Sequence, residues 1–368
     1  MQATAPVKEK AVRSIQSPPK IHRAVRIWLF IGLVMVFVQV VVGGITRLTD
    51  SGLSITEWAV IQGTLPPMNE VEWNEAFDQY KVAAKQQFES LHADMTLSEF
   101  KVIFFWEYIH RLWARTMGLV FLFPFLFFWL TGMLPKWLMK HLGVVVGLAA
   151  LAATFGWIMV ASGLNEDNRT WVSAYKLVSH LSIATSVFAA LFWTYIKTGR
   201  RGGQDAQLSK LRRFAWGAGI LLIVQIIFGG LMAGMKAGLI HPYFPLFAES
   251  DRLAAALQSG EMDLVNYESS LKVKTWVHIV HRVTAYLLTG VLIGLFLKIR
   301  QSVGSIQLKR GGWVMLGLIG VQFILGVLTV INSIGSIPIA YGVMHQGVAL
   351  LLLLSWLYIL YQLKPVKM

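Results

Sequence analysis

Residues 106–111 read Trp-Glu-Tyr-Ile-His-Arg, and residues 277–282 read Val-His-Ile-Val-His-Arg. Each stretch lies near the start of a long apolar segment, and each places His before Arg at the same point: His110-Arg111 and His281-Arg282. Two more histidines, His180 and His345, sit near the starts of two further apolar segments. Ionisable side chains are costly inside a bilayer and usually face a bundle interior, so each of the four is a candidate for function. Opposed imidazoles at matched depth on two helices suit axial ligation of a haem iron inside a four-helix bundle. The four histidines therefore read as two ligand pairs, His110 with His180 and His281 with His345. Arg111 and Arg282 follow directly and suit haem propionates or internal acids. The two stretches differ at one position: Glu107 stands where the second has His278.

Other uses of these residues stay open at this point. The histidines could be structural, bonded across helices. Membrane His and Glu could form a proton pathway. A zinc ion would need more ligands than two nitrogens per bundle provide. Four histidines at duplicated places and similar depth favour the haem reading. His278, one turn before His281, could touch a haem edge or a polar loop group, and His241 could line an outer loop. The glycines Gly43-Gly44, Gly147, Gly156, Gly229-Gly230 and Gly234 permit close helix packing and also leave room for a flat macrocycle.

The elements that must position these groups are membrane helices. The chain is 55% hydrophobic over 368 residues, with a mean hydropathy of +0.58, which is the composition of a polytopic membrane protein. Eight apolar segments are long enough to span: 26–46, 102–131, 141–163, 174–197, 213–236, 274–299, 312–332 and 341–362. The net charge of +14 lies in short clusters between these segments, which marks membrane orientation and argues against nucleic acid as a partner. Lys and Arg concentrate in the N-terminal segment 1–25, in loops 132–140, 198–212 and 300–311, and in the tail. Those three loops hold one acid, Asp205. The positive-inside rule places both termini and these loops on the cytoplasmic or matrix side. The N-terminal segment lacks the apolar core of a cleaved signal peptide. The chain has no cysteine, which excludes disulfides, thiolate-ligated haem and iron–sulfur clusters.

On the opposite face, loop 47–101 carries Thr-Arg-Leu-Thr-Asp-Ser-Gly-Leu-Ser, Glu57-Trp58 and an amphipathic stretch from Trp73 to Phe88. Its length and aromatic content predict a packed cap. Loop 237–273, with His241-Pro-Tyr-Phe-Pro and a helical piece near 251–258, is its second-half counterpart. Internal duplication runs throughout. Gln39-Val-Val-Val-Gly-Gly repeats as Gln225-Ile-Ile-Phe-Gly-Gly, offset by 186 (225 − 39), and the histidines repeat at offsets of 171 (281 − 110) and 165 (345 − 180). Four spans per repeat give both halves the same orientation, related by an axis along the membrane normal. The expected fold is all-α: eight transmembrane helices forming two pseudo-symmetric four-helix bundles, 26–200 and 201–368, with the histidine sites toward the outer face.

At these residues the chain resembles the heme A synthase family, in its cysteine-free branch. The likeness runs from about residue 26 to 360. It rests on Gly43-Gly-Ile-Thr-Arg-Leu-Thr-Asp-Ser-Gly-Leu-Ser, Glu57-Trp58, Phe100-Lys-Val-Ile-Phe-Phe-Trp-Glu-Tyr-Ile-His-Arg and Gly156-Trp-Ile-Met-Val-Ala-Ser-Gly-Leu. Gly229-Gly-Leu-Met-Ala-Gly-Met-Lys-Ala-Gly, His281-Arg282 and His345-Gln346 complete it. The resemblance implies oxidation of heme O to heme A, a ring methyl becoming a formyl group through successive hydroxylations with molecular oxygen and an electron donor it does not name. It implies that His110 and His180 hold the substrate haem and that His281 and His345 hold a resident haem b. By position, Arg111 is expected beside the substrate haem and Arg282 beside the resident one. Glu107, one turn before His110, is expected to be catalytic by handling protons or stabilising a cationic intermediate, or else to be ion-paired to Arg111. Heme O synthase and terminal oxidase assembly are the implied partners beside the lipid bilayer. The rival readings are a diheme cytochrome b that only passes electrons, and a haem carrier. The chain departs from the family at His241-Pro-Tyr-Phe-Pro, where many members have Asn-Thr-Phe-Pro.

Overall fold

The computed structural model describes residues 21–57, 64–164, 170–199, 208–247, 250–258 and 270–364. Trp58, Asp205, Lys367 and most of the N-terminal segment lie outside the described residues. Among those residues the chain is helical and holds no strand.

Eight helices are long and apolar enough to cross a membrane: α1 (Arg23–Leu48), α4 (Leu97–Leu130), α5 (Lys136–Leu164), α6 (Ala174–Lys197), α7 (Ser209–Gly234), α9 (Leu271–Gln301), α10 (Ile306–Ile331) and α11 (Ile339–Gln362). They match the eight expected spans and run past most of them by a few residues, because caps carry the helices beyond the apolar stretch. Thr96 and Glu99 form a reciprocal capping box that starts α4 before its membrane segment. Ser270 caps α9 by accepting from Val273 N, and Ser173 caps α6 by accepting from Lys176 N. Large apolar side chains such as Phe123, Leu130, Ile220 and Val314 point outward, as lipid-facing residues must.

The outer loop is a packed cap. α2 (Glu70–Ala83) starts at Asn69, whose side chain accepts from Glu72 N, and α3 (Lys85–Leu91) follows at once. Phe77 and Tyr80 are buried against Leu53, Phe100 and Phe104. Phe77 stacks on Phe100 at 4.9 Å between ring centroids. The aromatic spacing seen in the sequence therefore fastens the cap to the N-terminal end of α4. In the second half α8 (Ser250–Gln258) packs on α9.

Within the first half α1 packs on α4 and on α6, and α5 on α6. The second half repeats this with α7 on α9 and α11, and α10 on α11. The halves meet where α6 contacts α7 and α11 and where α1 contacts α11. Two clusters of buried side chains fill the end of each half away from the histidines, one built on Leu138, Leu142 and Phe188, the other on Leu292, Leu295 and Trp356. This packing fixes the helix ends and leaves the opposite end of each bundle to the histidines.

Candidate functional site

In each half the two histidine-bearing helices stand diagonally. α4 and α6 make no extensive contact with one another, and neither do α9 and α11. Within that interval His110 and His180 are close enough for their charges to interact, as are His281 and His345.

Glycine on the neighbouring helix sets each ring. A Cβ on Gly43 would lie 2.8 Å from His110 Cε1, on Gly156 3.0 Å from His180 Cε1, on Gly229 3.2 Å from His281 Cε1, and on Gly326 3.0 Å from His345 Cε1. One ring–glycine contact thus occurs four times. Four residues before three of these glycines stands a glutamine whose amide nitrogen reaches the ring. Gln39 Nε2 lies 3.3 Å from His110 Nδ1, Gln225 Nε2 3.1 Å from His281 Nδ1, and Gln322 Nε2 3.2 Å from His345 Nε2. The fourth position is Ala152, whose carbonyl oxygen sits 2.9 Å from His180 Nδ1. A carbonyl can only accept, so Nδ1 of His180 carries the proton and Nε2 is left to ligate.

Of the two uses the sequence suggested for the arginines, haem propionates or internal acids, Arg111 takes the second. Arg111 donates to Ile55 O and Glu57 O, each at 2.9 Å, and pairs with Glu107 Oε1 at 2.6 Å. Glu107 is buried, and its other oxygen accepts from Ser54 Oγ at 2.7 Å and from Ile55 N at 2.9 Å. Together they fasten the Thr-Arg-Leu-Thr-Asp-Ser-Gly-Leu-Ser loop to α4. Arg282 repeats the plan by donating to Pro245 O at 3.1 Å, while its Nη1 is buried without a hydrogen-bond partner. Its guanidinium stacks on Phe247, 4.2 Å from the ring centroid.

At the Glu107-equivalent position His278 is fully buried. Its Nδ1 donates to Ala237 O at 3.1 Å, and its Nε2 has no partner. His241 lies beside it at 5.8 Å between ring centroids and contacts Thr275 Oγ1 at 3.3 Å. Burial holds the His241 imidazole below its usual range, and the Arg282 guanidinium adds to the effect.

These residues fit a haem in each half. The donor set is two neighbouring imidazoles, the glycines leave the rings seated at the helix surface, and His345 Nδ1 and Arg282 Nη1 are buried polar atoms without a hydrogen-bond partner among the described residues. Among the described residues no cluster of three or more His, Cys, Asp or Glu could hold a bare metal ion.

Residues 26–357 match the family model COX15-CtaA, cytochrome oxidase assembly protein. The chain belongs to the COX15-CtaA family. It is 36% identical over 344 residues to the heme A synthase of Flavobacterium psychrophilum, covering 93% of this chain and 99% of that protein. It is 40% identical over 335 residues to the heme A synthase of Bradyrhizobium sp. strain BTAi1, covering 90% and 88%. With the heme A synthase of Agrobacterium fabrum it shares 38% over 345 residues, covering 92% and 90%. Membership implies haem binding and an integral membrane protein, and the eight spans agree with the second.

The four histidines and both arginines lie on α4, α6, α9 and α11, four of the membrane-length helices. Sequence reading singled them out. It missed Gln322 and Ala152. Gln322 was detectable, since it precedes Gly326 by four residues as Gln39 precedes Gly43. Ala152 was not, because it acts through its backbone.

Proposed function

We propose that this protein is an integral membrane oxidoreductase that converts heme O to heme A, oxidising a ring methyl to a formyl group by successive hydroxylations with molecular oxygen. The observation that carries this reading is the duplicated histidine–glycine pair, in a chain that resembles heme A synthases over about nine-tenths of its length. The N-terminal unit, residues 26–200, takes the substrate haem on His110 and His180. The C-terminal unit, residues 201–368, holds a resident haem b on His281 and His345.

The residues divide the work. His180, with its tautomer set by Ala152 O, presents Nε2 to the substrate iron. Arg111 and Glu107 hold loop residues 54–57 over the outer end of that site and limit water there. Glu107 also manages a proton at its carboxylate while the ring methyl is oxidised; positioned acid–base groups contribute on the order of 10²–10⁴-fold. Arg282, through its unpartnered Nη1, meets a haem carboxylate. Haem b, when bound, supplies one-electron chemistry that links an electron donor to the substrate half. The basic loops place both termini on the cytoplasmic or matrix side, with the haem sites toward the outer face. The enzyme that makes heme O and the assembly of the terminal oxidase that receives heme A are its functional neighbours.

Extraction and mass analysis of haems from cells that make heme O tests the reading. Heme A should appear only when this protein is expressed, and the double variant H281A/H345A should lose both haem b and heme A formation. Accumulation of an intact diheme protein with no heme A would establish an electron-transfer cytochrome in its place.

A further inference from the structure

The two halves close differently where their second and third spans run side by side. In the C-terminal half α9 packs along α10, whereas α4 and α5 have no extensive packing, although the other helix contacts within each half are repeated. In their apolar stretches only 6% of the residues of α4 and of α5 are buried, against 28% in α9 and 17% in α10.

The residues account for this. Across α9–α10, Phe296 meets Trp313 edge-on with centroids 4.6 Å apart, and Tyr286 meets Phe323 at 6.0 Å. An offset of 171 relates α4 to α9 (281 − 110), and 170 relates α5 to α10 (326 − 156). The equivalent pairs are then Phe125 with Gly143 and Arg115 with Ala153, so each pair has lost at least one ring. Phe125 turns along its own helix, 6.1 Å from Phe121 and 6.3 Å from Trp129. A Cβ on Gly143 would meet nothing within 4 Å. Pro124 stands where α9 has Leu295, a fully buried residue, and its ring cannot complete an interior helical hydrogen bond.

We infer that the α4–α5 seam is a lateral opening through which a porphyrin passes between the bilayer and the N-terminal histidine pair, and that the aromatic pairs across α9–α10 retain the haem of the other half. This rests on reading the N-terminal half as the substrate site. The seam is flanked by both ligands, since α4 carries His110 and α5 carries the Gly156 on which His180 is seated. A flat, largely apolar macrocycle dissolved in lipid reaches that site through the seam without crossing the packed cap on the outer face.

Two reciprocal variants test it. G143W/A153F adds rings at the seam, and W313G/F323A removes them from the closed half. The probe is phosphatidylcholine vesicles carrying heme O, with uptake followed as the growth of a bis-histidine Soret band and retention measured as haem per chain after washing. Uptake by G143W/A153F should slow about tenfold, the factor expected of one or two aromatic contacts, with the purified haem content unchanged. W313G/F323A should lose its retained haem on washing. Wild-type uptake rates in a G143W/A153F protein that keeps its haem would overturn the seam, as would full retention in W313G/F323A, and either leaves heme A formation by the wild type untouched. If G143W/A153F fails to fold, W313G/F323A decides alone. A wild-type protein that takes up no haem from vesicles would overturn both the seam and the N-terminal substrate site.

Discussion

Glu107 is the residue at which sequence and structure add most to each other. Sequence marked it as the acid within the expected spans, one turn from His110. The structure gives it three partners, Ser54, Ile55 and Arg111, an arrangement that no spacing rule announces because two of them lie on a loop more than fifty residues earlier. Removing the carboxylate leaves the half-buried Arg111 without its counter-charge and loosens the loop, at a cost below the ~3–5 kcal/mol of a fully buried pair. Glu107→Ala thus mixes lost fastening with lost chemistry. Glu107→Gln loses less of the fastening, since an amide keeps the shape and can still accept from Ser54 and Ile55, although it gives up the charge that pairs with Arg111. E107Q should retain haem b and bind heme O, yet form heme A on the order of 10²-fold more slowly or worse, with partly oxidised haem accumulating. Single-turnover conversion of bound heme O, read by mass spectrometry, measures this. Wild-type turnover in E107Q would leave Glu107 as a fastening residue only. The four histidines were legible because duplication exposes them. The glycines seating them were visible as small residues, but their use was not, since the sequence of a helix does not say which ring a glycine faces.

At the scale of elements, apolar length alone located all eight membrane helices, while the cap took its form from aromatic pairing that length does not encode. The amphipathic stretch beginning at Trp73 became two helices, and Tyr80, fully buried, reaches His92 with its hydroxyl 2.6 Å from Nδ1. This contact makes the cap sensitive to acid. Burial lowers the His92 pKa from its ordinary 6.5, with Asp50 opposing and Lys236 reinforcing the shift. The unfolded cap therefore takes up the proton first. The contribution of His92 is complete above about pH 6.5 and falls as the pH drops through that value toward the folded pKa. Proteolysis within 64–96, followed between pH 7.5 and 5, should accelerate on acidification in the wild type and respond less in H92F, which fills the same space without a titrating group. An equal pH response in both would remove His92 as the cause. The seam between α4 and α5 belongs to this scale too: two helices of the same length and hydropathy class pack or do not pack according to one or two rings, a difference that becomes visible only when the halves are overlaid.

At the scale of the whole molecule, the two halves are held by residues that the internal repeat makes equivalent. Asp50 and Lys236 are related by the same offset as the glutamines (236 − 50 = 186), and both adopt left-handed backbone, with φ of 52° and 50°. They bond to each other across the pseudo-symmetry axis, with Lys236 Nζ 2.9 Å from Asp50 Oδ1. Arg47 reinforces the junction by donating to Ala233 O at 2.9 Å and Gly234 O at 3.2 Å, the end of α7. Sequence displayed the repeat but could not show that equivalent residues meet, because duplication fixes which positions correspond and leaves their distance open. Two copies with like charge at this position would repel, so opposite charges on the two repeats favour pairing within one chain. Burial lowers the Lys236 pKa while Asp50 pulls it back up, so the pair depends on the contact. Asp50→Lys should place a third cation beside Arg47 and Lys236 and destabilise the junction by roughly 1–3 kcal/mol, between the values of exposed and buried pairs. The exchange D50K/K236D restores opposite charges and keeps one Asp and one Lys in the left-handed positions, so backbone strain is nearly unchanged. Heating each variant in detergent and following loss of the retained haem gives a double-mutant cycle. The exchanged protein should recover at least about 1 kcal/mol relative to the sum of the single variants. Strict additivity would mean that the halves are held by the packing of α6 on α7 and α11 and of α1 on α11, without help from this pair.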